Sequence, residues 1–289
     1  MKLGLDIAGR LLTIVFIVIA GTLLTATMVR MAPGFDVDVR QLDPRLSHES
    51  RDVLRKERSH NGDLGHYYSG FLLNACHGEF GRSVTLNRPV GELVRERLPV
   101  TVRLVAWGLL LAWVLAAGLA FSAALLKEQV YDVIAGLLGS SFLCVPAAAV
   151  AVLTVIFHVP AAMAIAVIVF PRLFRYVRNL LARGYSMPHI VTARAKGLGR
   201  TAVFVRHVLP VCAAPIVALI GISVSVALGA SVAVEALCGI PGIGQLAWQA
   251  ALGRDLPLLV ALTTLVTVVT LLANTISDVM QRALSPATT

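Results

Sequence analysis

Eight arginine and lysine side chains lie between residues 171 and 207, and this segment contains no aspartate or glutamate. Such a cluster of cations could pair with acidic groups of a partner protein or with nucleic acid. The segment lies between long apolar runs, which favours a loop at a membrane surface over a nucleic-acid site. The eight cations are Arg172, Arg175, Arg178, Arg183, Arg194, Lys196, Arg200 and Arg206.

Sequence patterns typical of several catalytic and nucleotide-binding sites are absent from the chain. It contains no GxxxxGK[ST] loop, no HExxH helix, no GxSxG elbow and no CxxC pair. Acidic residues are rare in the apolar runs, where Glu235 and Asp278 lie near the predicted ends. Ion-coupled transporters usually keep ionisable groups inside the membrane. The sequence therefore predicts neither an enzyme nor an ion-coupled transporter, and the scarcity of intramembrane acids indicates that the energy comes from elsewhere.

Composition identifies the elements that carry these residues as membrane helices. Of 289 residues, 57% are hydrophobic and 14% are charged, whereas soluble proteins have about 25% charged residues. Mean hydropathy is +0.80. Uncharged runs of suitable length predict about six spans. These are 11–29, 104–126, two within 133–171 with a turn at His158–Pro160, 207–234 and 256–277. Glycines and a proline break the run 236–253, which predicts a re-entrant or surface loop.

Basic residues near the spans predict the orientation. The basic loop should be cytoplasmic, together with both termini. The first 30 residues also resemble a signal peptide, but 19 apolar residues without a clear cleavage site favour an uncleaved first span. The expected division is an N-terminal segment and first helix at 1–29, an extracytoplasmic segment at 30–100, a five-helix core at 101–282 with a cytoplasmic loop at 178–207, and a tail at 283–289.

Local patterns predict finer features. Pro188 to Leu198 should form a short helix with Gly197 and Gly199 as stop signals, and residues 89–98 should form another. Small residues at Gly221, Ser225 and Gly229 would let helices approach closely. The four cysteines lack metal-site spacing. Cys144 and Cys212 are predicted to pack within spans, while Cys76 and Cys238 both fall outside and could pair.

The basic loop resembles the coupling loop of ABC-transporter permeases. Residues 189–198 read HIVTARAKGL, followed by Arg206-His207 and Leu209-Pro210. This is similar to the "YVRTARAKGL…RHALRNALLP" pattern of the B-type membrane subunit of dipeptide, oligopeptide and nickel importers. Val191 stands where the general permease pattern has glutamate.

Further matches to that family run in order along the chain. Residues 31–34 (MAPG) resemble "LAPGDP", residues 78–83 (GEFGRS) resemble "GDLGRS", and residues 97–101 (RLPVT) resemble "RLPATL". Val234-Glu235 with 240–244 (IPGIG) resembles "VVVETVFSWPGLG", and residues 254–257 (RDLP) resemble "NRDYP". Two departures are a short connection at His158–Pro160 and the lack of a "DPRIR" ending.

The resemblance implies an all-α type I importer permease in the plasma (inner) membrane. It implies one half of a translocation pore, with a homologous C-type permease as the other half, two ATPase subunits inside, and an extracytoplasmic solute-binding protein outside. Lipid surrounds the chain, and no nucleic acid is a partner. ATP and Mg²⁺ would bind the ATPases, while this chain would bind no cofactor or metal. The implied coupling residues are Ala193, Arg194, Ala195, Lys196, Gly197 and Leu198.

The resemblance leaves the transported solute open. Dipeptides or oligopeptides are the first expectation, and nickel or another small solute is the alternative within the same fold. A degenerate permease that acts as a non-transporting membrane scaffold is the alternative of a different class, because the connection at His158–Pro160 is shorter than the family's. The residues that contact the solute are not indicated.

Overall fold

The structure is a computed structural model that describes residues 2–31, 80–126, 136 and 141–284. Apart from an isolated antiparallel bridge between Arg82 and Pro89, regular secondary structure in these ranges is helical. The predicted all-α class is therefore confirmed. The described helices, in chain order, are α1 (Lys2–Met31), α2 (Val90–Leu126), α3 (Ala147–Ile156), α4 (Ala161–Tyr185), α5 (Pro188–Ala195), α6 (Arg200–Val203), α7 (Leu209–Cys238), α8 (Ile243–Leu252) and α9 (Leu256–Leu284).

Three helical stretches among the described residues are long and apolar enough to cross a bilayer. They are α2, the stretch Arg200–Cys238 that includes α7, and α9. Shorter apolar helices occur at Leu12–Thr25 and Ala147–Ile156. A turn is confirmed at the predicted position, because α3 ends at Ile156 and α4 begins at Ala161. Neither of these two helices is among the three long apolar stretches, so the two spans predicted there stay a prediction. His158 adopts a positive φ of 55° there, and the Val159 N–H donates to the Thr154 carbonyl at 3.0 Å.

Three sequence predictions need correction. The run 236–253 is not a loop throughout: α7 continues to Cys238, a turn occupies 239–242, and α8 follows. Glycine and proline break the helix at that turn, but the run Ile243–Leu252 contains one glycine and folds normally. The basic stretch also begins on a helix, because α4 extends to Tyr185. Residues 89–98 are not a separate helix, since α2 runs on through Pro99.

The described residues form two compact units. The first unit takes its residues from 1–97 and 247–267. In it, the Thr22 hydroxyl of α1 lies 3.0 Å from the Thr264 hydroxyl of α9. A tight turn precedes α2: the Ser83 N–H donates to the Arg88 carbonyl at 2.9 Å. The Arg88 guanidinium then pairs with the Glu96 carboxylate at 2.6 Å, an exposed ion pair of small stabilising effect.

The second unit takes its residues from 98–246 and 268–289. Its core lies where α7 packs along α3 and α4, and it includes the fully buried Ile165 and Phe174. Gly221 of α7 lies so close to α9 that an added Cβ would fall 2.8 Å from the Ser277 hydroxyl. Ser225 accepts a hydrogen bond from Asn274 at 3.2 Å. The predicted close approach is thus confirmed at these two positions. It is not found at Gly229, which is exposed and where no heavy atom of the described residues lies within 4 Å of an added Cβ.

The predictions for the cysteines are also confirmed in part. Cys212 is buried and lies 3.3 Å from the Leu180 carbonyl oxygen, as expected for a packing residue. Cys144 is exposed, so the prediction that it packs inside is wrong. The Cys238 thiol lies 3.8 Å from the Ala151 carbonyl oxygen. Cys76 lies outside the described residues, so its pairing with Cys238 stays a prediction.

Candidate functional site

The basic loop consists of two short helices, α5 and α6, joined by a turn. One face of α5 is buried and fixes the helix in place. Pro188 occupies the first turn of α5, where a proline costs no hydrogen bond. Ile190 and Ala193, three residues apart, are 0% and 5% exposed. This spacing places both side chains on one helical face, so α5 is held against the second unit's core rather than free in solvent.

The turn after α5 requires glycine. The helix ends at Ala195 instead of the predicted Leu198, and the Gly197 N–H donates to the Arg194 carbonyl at 2.9 Å. Gly197 has a φ of +77°, a conformation that side-chain-bearing residues rarely adopt. The predicted stop at Gly197 is confirmed. Gly199 has a φ of −62° and precedes α6 as its N-cap.

The outward face of this element presents most of the predicted coupling residues to solvent. Arg194, Ala195, Lys196, Gly197 and Leu198 are exposed, and Ala193 is buried. Val191 is 65% exposed and Leu198 is 37% exposed, so apolar as well as cationic groups face outward. Together these residues make a surface of small, apolar and positively charged groups on a firmly anchored helix.

An aromatic cluster of Phe121, Tyr185 and Phe204 lies beneath the loop. The Tyr185 and Phe204 rings stack with centroids 6.5 Å apart, and Phe204 meets Phe121 of α2 edge-on at 5.4 Å. The Arg194 guanidinium lies 5.5 Å above the Tyr185 ring centroid, within cation–π range. One exposed coupling residue is thereby linked through aromatic contacts to α2.

A small cleft of about 120 Å³ opens beside this cluster. Burial is the main influence on the Tyr185 phenol and raises its pKa, which the Arg194 charge partly opposes. The phenol is therefore neutral at physiological pH and keeps its ring face available to Arg194. The cleft is lined by Ala124, Tyr185, Arg194, Leu198, Arg200 and Val203.

The loop joins α7 through an unusual helical segment. Residues Phe204–Val208 form a π-helical turn between α6 and α7. Such turns hold one more residue than an α-helical turn and often occur at functional sites. Nearby, Gly184 approaches α7 so closely that an added Cβ would lie 2.8 Å from the Cys212 sulfur. The exit from the loop is thus tightly packed.

A second notable arrangement centres on Glu235, which is fully buried at the end of α7. Its Oε2 accepts hydrogen bonds from the Gly244 N–H at 2.6 Å and the Gln245 N–H at 3.3 Å. These are first-turn donors of α8, so the carboxylate caps that helix. The Ile243 N–H donates to the Thr101 hydroxyl at 2.8 Å. Two motifs identified by resemblance, 97–101 and 240–244, therefore meet at this turn.

In the first unit, Asp255 plays a comparable part. It is fully buried, and its Oδ1 accepts from the Leu258 N–H of α9 at 3.2 Å. Its Oδ2 accepts from the Ser83 and Thr85 hydroxyls, each at 2.5 Å, and from the Thr85 N–H at 3.0 Å. Two further motifs, 78–83 and 254–257, are joined by this carboxylate.

Sequence reasoning missed these contacts. It placed Glu235 only near a span end and gave Asp255, Tyr185 and Phe204 no role. The usable signal for Asp255 is an acid directly before Leu-Pro, a typical helix N-cap. The partners of Glu235 and Tyr185 lie at distances along the chain that follow no helical or strand repeat.

The family assignment comes from a long C-terminal segment of the chain. This segment contains the basic loop, the aromatic cluster and the two buried acids, Glu235 and Asp255. Residues 108–289 match the model of a family described as "Binding-protein-dependent transport system inner membrane component". The chain belongs to this family. It is therefore the membrane-spanning permease subunit of an ABC importer. Its relatives are likewise transporter permease subunits. Membership implies ATPase and substrate-binding partners in general.

Curated relatives of this permease match it from end to end. The oligopeptide transport system permease protein AppB of Bacillus subtilis is 26% identical over 97% of this chain and 98% of its own length. The dipeptide transport system permease protein DppB of Lactococcus lactis is 25% identical over 96% of both chains. The glutathione transport system permease protein GsiC of Escherichia coli K12 is also 25% identical over 96% of both chains.

A solved structure supports the permease fold. A chain of the MetNI methionine ABC transporter in an inward-facing conformation aligns with a TM-score of 0.61 at 17% identity. The alignment covers 67% of this chain and 97% of that chain. At this identity the likeness concerns the fold alone, and it confirms the expected type I importer permease architecture.

Proposed function

We propose that this permease forms one half of the pore of a peptide importer and that its loop receives an ATPase subunit. The observation that carries the coupling proposal is the outward surface of α5 and the following turn. There Ala195, Lys196, Gly197 and Leu198 are exposed, while Ile190 and Ala193 anchor the helix from beneath. An anchored helix with exposed apolar residues can bind a partner without first being ordered, whereas a mobile loop loses conformational entropy on binding.

The geometry suits the transmission of force. A load applied to α5 would pass through the buried Ile190 and through the Arg194–Tyr185 contact to the aromatic cluster. Close-packed interiors move as units rather than deforming gradually. ATP and Mg²⁺ would bind two ATPase subunits, whose closure would thus displace α4 and α7. This chain's own part is to receive that displacement.

Peptides are the proposed solute because the relatives described above carry oligopeptide, dipeptide and glutathione transport in their names. This gives peptides precedence over nickel and over a non-transporting scaffold. The remaining parts of the assembly follow the same reasoning. A homologous C-type permease would complete the pore, an extracytoplasmic binding protein would deliver the solute, and the basic loop with both termini would face the cytoplasm.

The coupling proposal is tested by a matched pair of alanine-to-aspartate variants. Ala195 and Ala251 are both exposed and lie in the last turn of short helices, but Ala251 is on α8. We expect Ala195→Asp to lose co-purification with co-expressed ATPase subunits in mild detergent, and Ala251→Asp to retain it. Equal retention by both variants, with the wild type bound, would remove α5 from the interface.

The solute is tested separately in proteoliposomes that hold the assembled importer and its binding protein. ATP-dependent uptake of a labelled dipeptide and a labelled pentapeptide should exceed uptake of Ni²⁺. Uptake of Ni²⁺ without peptide uptake would refute the peptide proposal. An assembly that binds ATPases but moves none of these solutes would favour the scaffold alternative.

A further inference from the structure

A cleft of about 280 Å³ runs between α4 and α7 within the second unit. Apolar side chains from both helices form most of its walls, and Arg172, Arg175 and Tyr176 of α4 also line it. None of the described residues that line it is acidic. The lining residues are Val169, Arg172, Leu173, Arg175, Tyr176, Leu219, Ile222, Ser223 and Val226.

The two arginines share one face of α4, because they are three residues apart. Both are exposed. The Arg175 guanidinium lies 5.8 Å from the neighbouring Tyr176 ring centroid. Among the described residues, no carboxylate forms an ion pair with Arg172 or Arg175. Two like charges on one helical face repel each other, and an anion bound between them would relieve that repulsion. The pair therefore has the chemistry to bind one anion.

The Ser223 hydroxyl, which also lines the cleft, is not available to this anion. The Ser223 hydroxyl already accepts from the Trp113 indole N–H at 3.1 Å and donates to the Ile220 carbonyl at 2.7 Å. Apart from the two arginines, Tyr176 and Ser223, the walls are Val, Leu and Ile side chains. An occupant must consequently be anionic at one end and hydrocarbon at the other.

The position along the chain indicates where such an occupant comes from. Residues 133–171 carry no charged side chain, and Arg172 is the first charge after this run. Arginine and tyrosine at that point are typical of the headgroup level of a bilayer. Basic pockets between membrane helices at this level bind acidic lipid headgroups, and guanidinium matches phosphate with two parallel hydrogen bonds.

We propose that the cleft binds an anionic phospholipid, with its phosphate on Arg172 and Arg175 and an acyl chain along the apolar wall of α4 and α7. Zwitterionic lipid is disfavoured because its cationic headgroup adds a like charge beside the arginines. The site does not depend on which solute the importer carries or on ATPase docking.

The test compares lipid retention by the full-length chain, measured by native mass spectrometry with phosphatidylglycerol and phosphatidylcholine of equal acyl length. The variant Arg172→Ala/Arg175→Ala removes the pair. The control Arg183→Ala/Arg206→Ala removes two exposed cations that do not line the cleft. Ile222→Trp fills the apolar part at a half-exposed position and leaves both guanidiniums in place.

We expect the wild type and the control to retain phosphatidylglycerol over phosphatidylcholine. The paired alanine variant should lose that preference by roughly 10- to 30-fold, as two interfacial cations predict, and Ile222→Trp should weaken retention of both lipids. Each variant must elute as a single helical species. Equal losses in pair and control, unchanged retention in Ile222→Trp, or Arg172- and Arg175-dependent retention of a short peptide in place of lipid would each overturn the proposal.

Discussion

Glu235 and Asp255 are both fully buried carboxylates that bind the first-turn N–H groups of a helix, yet they are held differently. Asp255 uses both oxygens and joins α9 to the Ser83–Thr85 turn through four hydrogen bonds. Glu235 uses Oε2 for α8, and its Oε1 has no hydrogen-bond partner among the described residues. Asp255 thus connects two segments of the chain, whereas Glu235 fills a tight space beside the first turn of α8.

The fit around Glu235 depends on the absence of side chains. A Cβ added at Gly242 would fall on the Glu235 carboxylate, and one added at Gly244 would lie 2.6 Å from the Val232 Cα. Asp255 instead relies on hydroxyl and amide donors that reach toward it. We therefore expect the Glu235 turn to be sensitive to added volume and the Asp255 bridge to be sensitive to lost acceptors.

The largest effect should come from Gly244→Ala. The new methyl group meets backbone at Val232, which cannot move aside without shifting α7, so we expect a loss of about 3 kcal/mol in the free energy of unfolding. The measurement is an unfolding titration in mixed detergent micelles. Gly118→Ala in α2 is the control, because a Cβ there meets no heavy atom of the described residues within 4 Å. Equal stability of both variants would mean that the α8 turn is not tightly packed.

Asp255→Asn should rank second. Replacing either oxygen by an amide N–H₂ turns a donor toward the Thr85 or Leu258 N–H, so a buried N–H loses its acceptor at a cost of about 2 kcal/mol. Proteolysis of the 80–89 turn, timed against wild type, should also accelerate. A variant as stable as wild type would show that the bridge does not hold the turn.

Ser83→Ala should have a smaller effect of about 1 kcal/mol. It removes one donor to Asp255 and the acceptor of the Leu86 N–H at 3.0 Å, but both Thr85 bonds remain. Combining it with Asp255→Asn in a double-mutant cycle measures the coupling directly. Strict additivity of the two losses would argue against a shared network.

Glu235→Gln should be the mildest change, with a loss below about 1 kcal/mol. The amide oxygen can keep the Gly244 and Gln245 N–H groups, and the amide N–H₂ can take the place of the unpaired Oε1. The loss in the free energy of unfolding is compared with that of Asp255→Asn in the same titration. If Glu235→Gln were the more damaging of the two, the proposed difference between the carboxylates would be wrong.

Local features were predictable from the sequence where a short segment determines its own structure. The α5 start at Pro188, the stop at Gly197 and the turn at His158 follow from residue types within a few positions. The continuation of α4 to Tyr185 was missed because arginines mark a membrane boundary but also fit a helix well. The sequence does not predict helix α8, because the glycines around Pro241 indicate a break, which the structure confines to residues 239–242.

The contacts of the site required the fold. Thr101 and Ile243 are 142 residues apart, and Ser83 and Asp255 are 172 apart. Neither separation leaves a periodic trace, so only the resemblance of their motifs hinted that these segments matter. The aromatic cluster likewise joins three helical elements through Phe121, Tyr185 and Phe204. The sequence of an apolar run does not indicate which aromatic residues will contact each other.

The π-helical turn at Phe204–Val208 gives the link between α6 and α7 a spare residue. One residue of an α-helix corresponds to about 100° of rotation and 1.5 Å of rise. If that turn changed to α-helical geometry, α7 would rotate by about 100° around its own axis and shift by about 1.5 Å along it. A pull on the loop would then be converted into a twist of α7, which would change the side chains that the helix presents without tilting it.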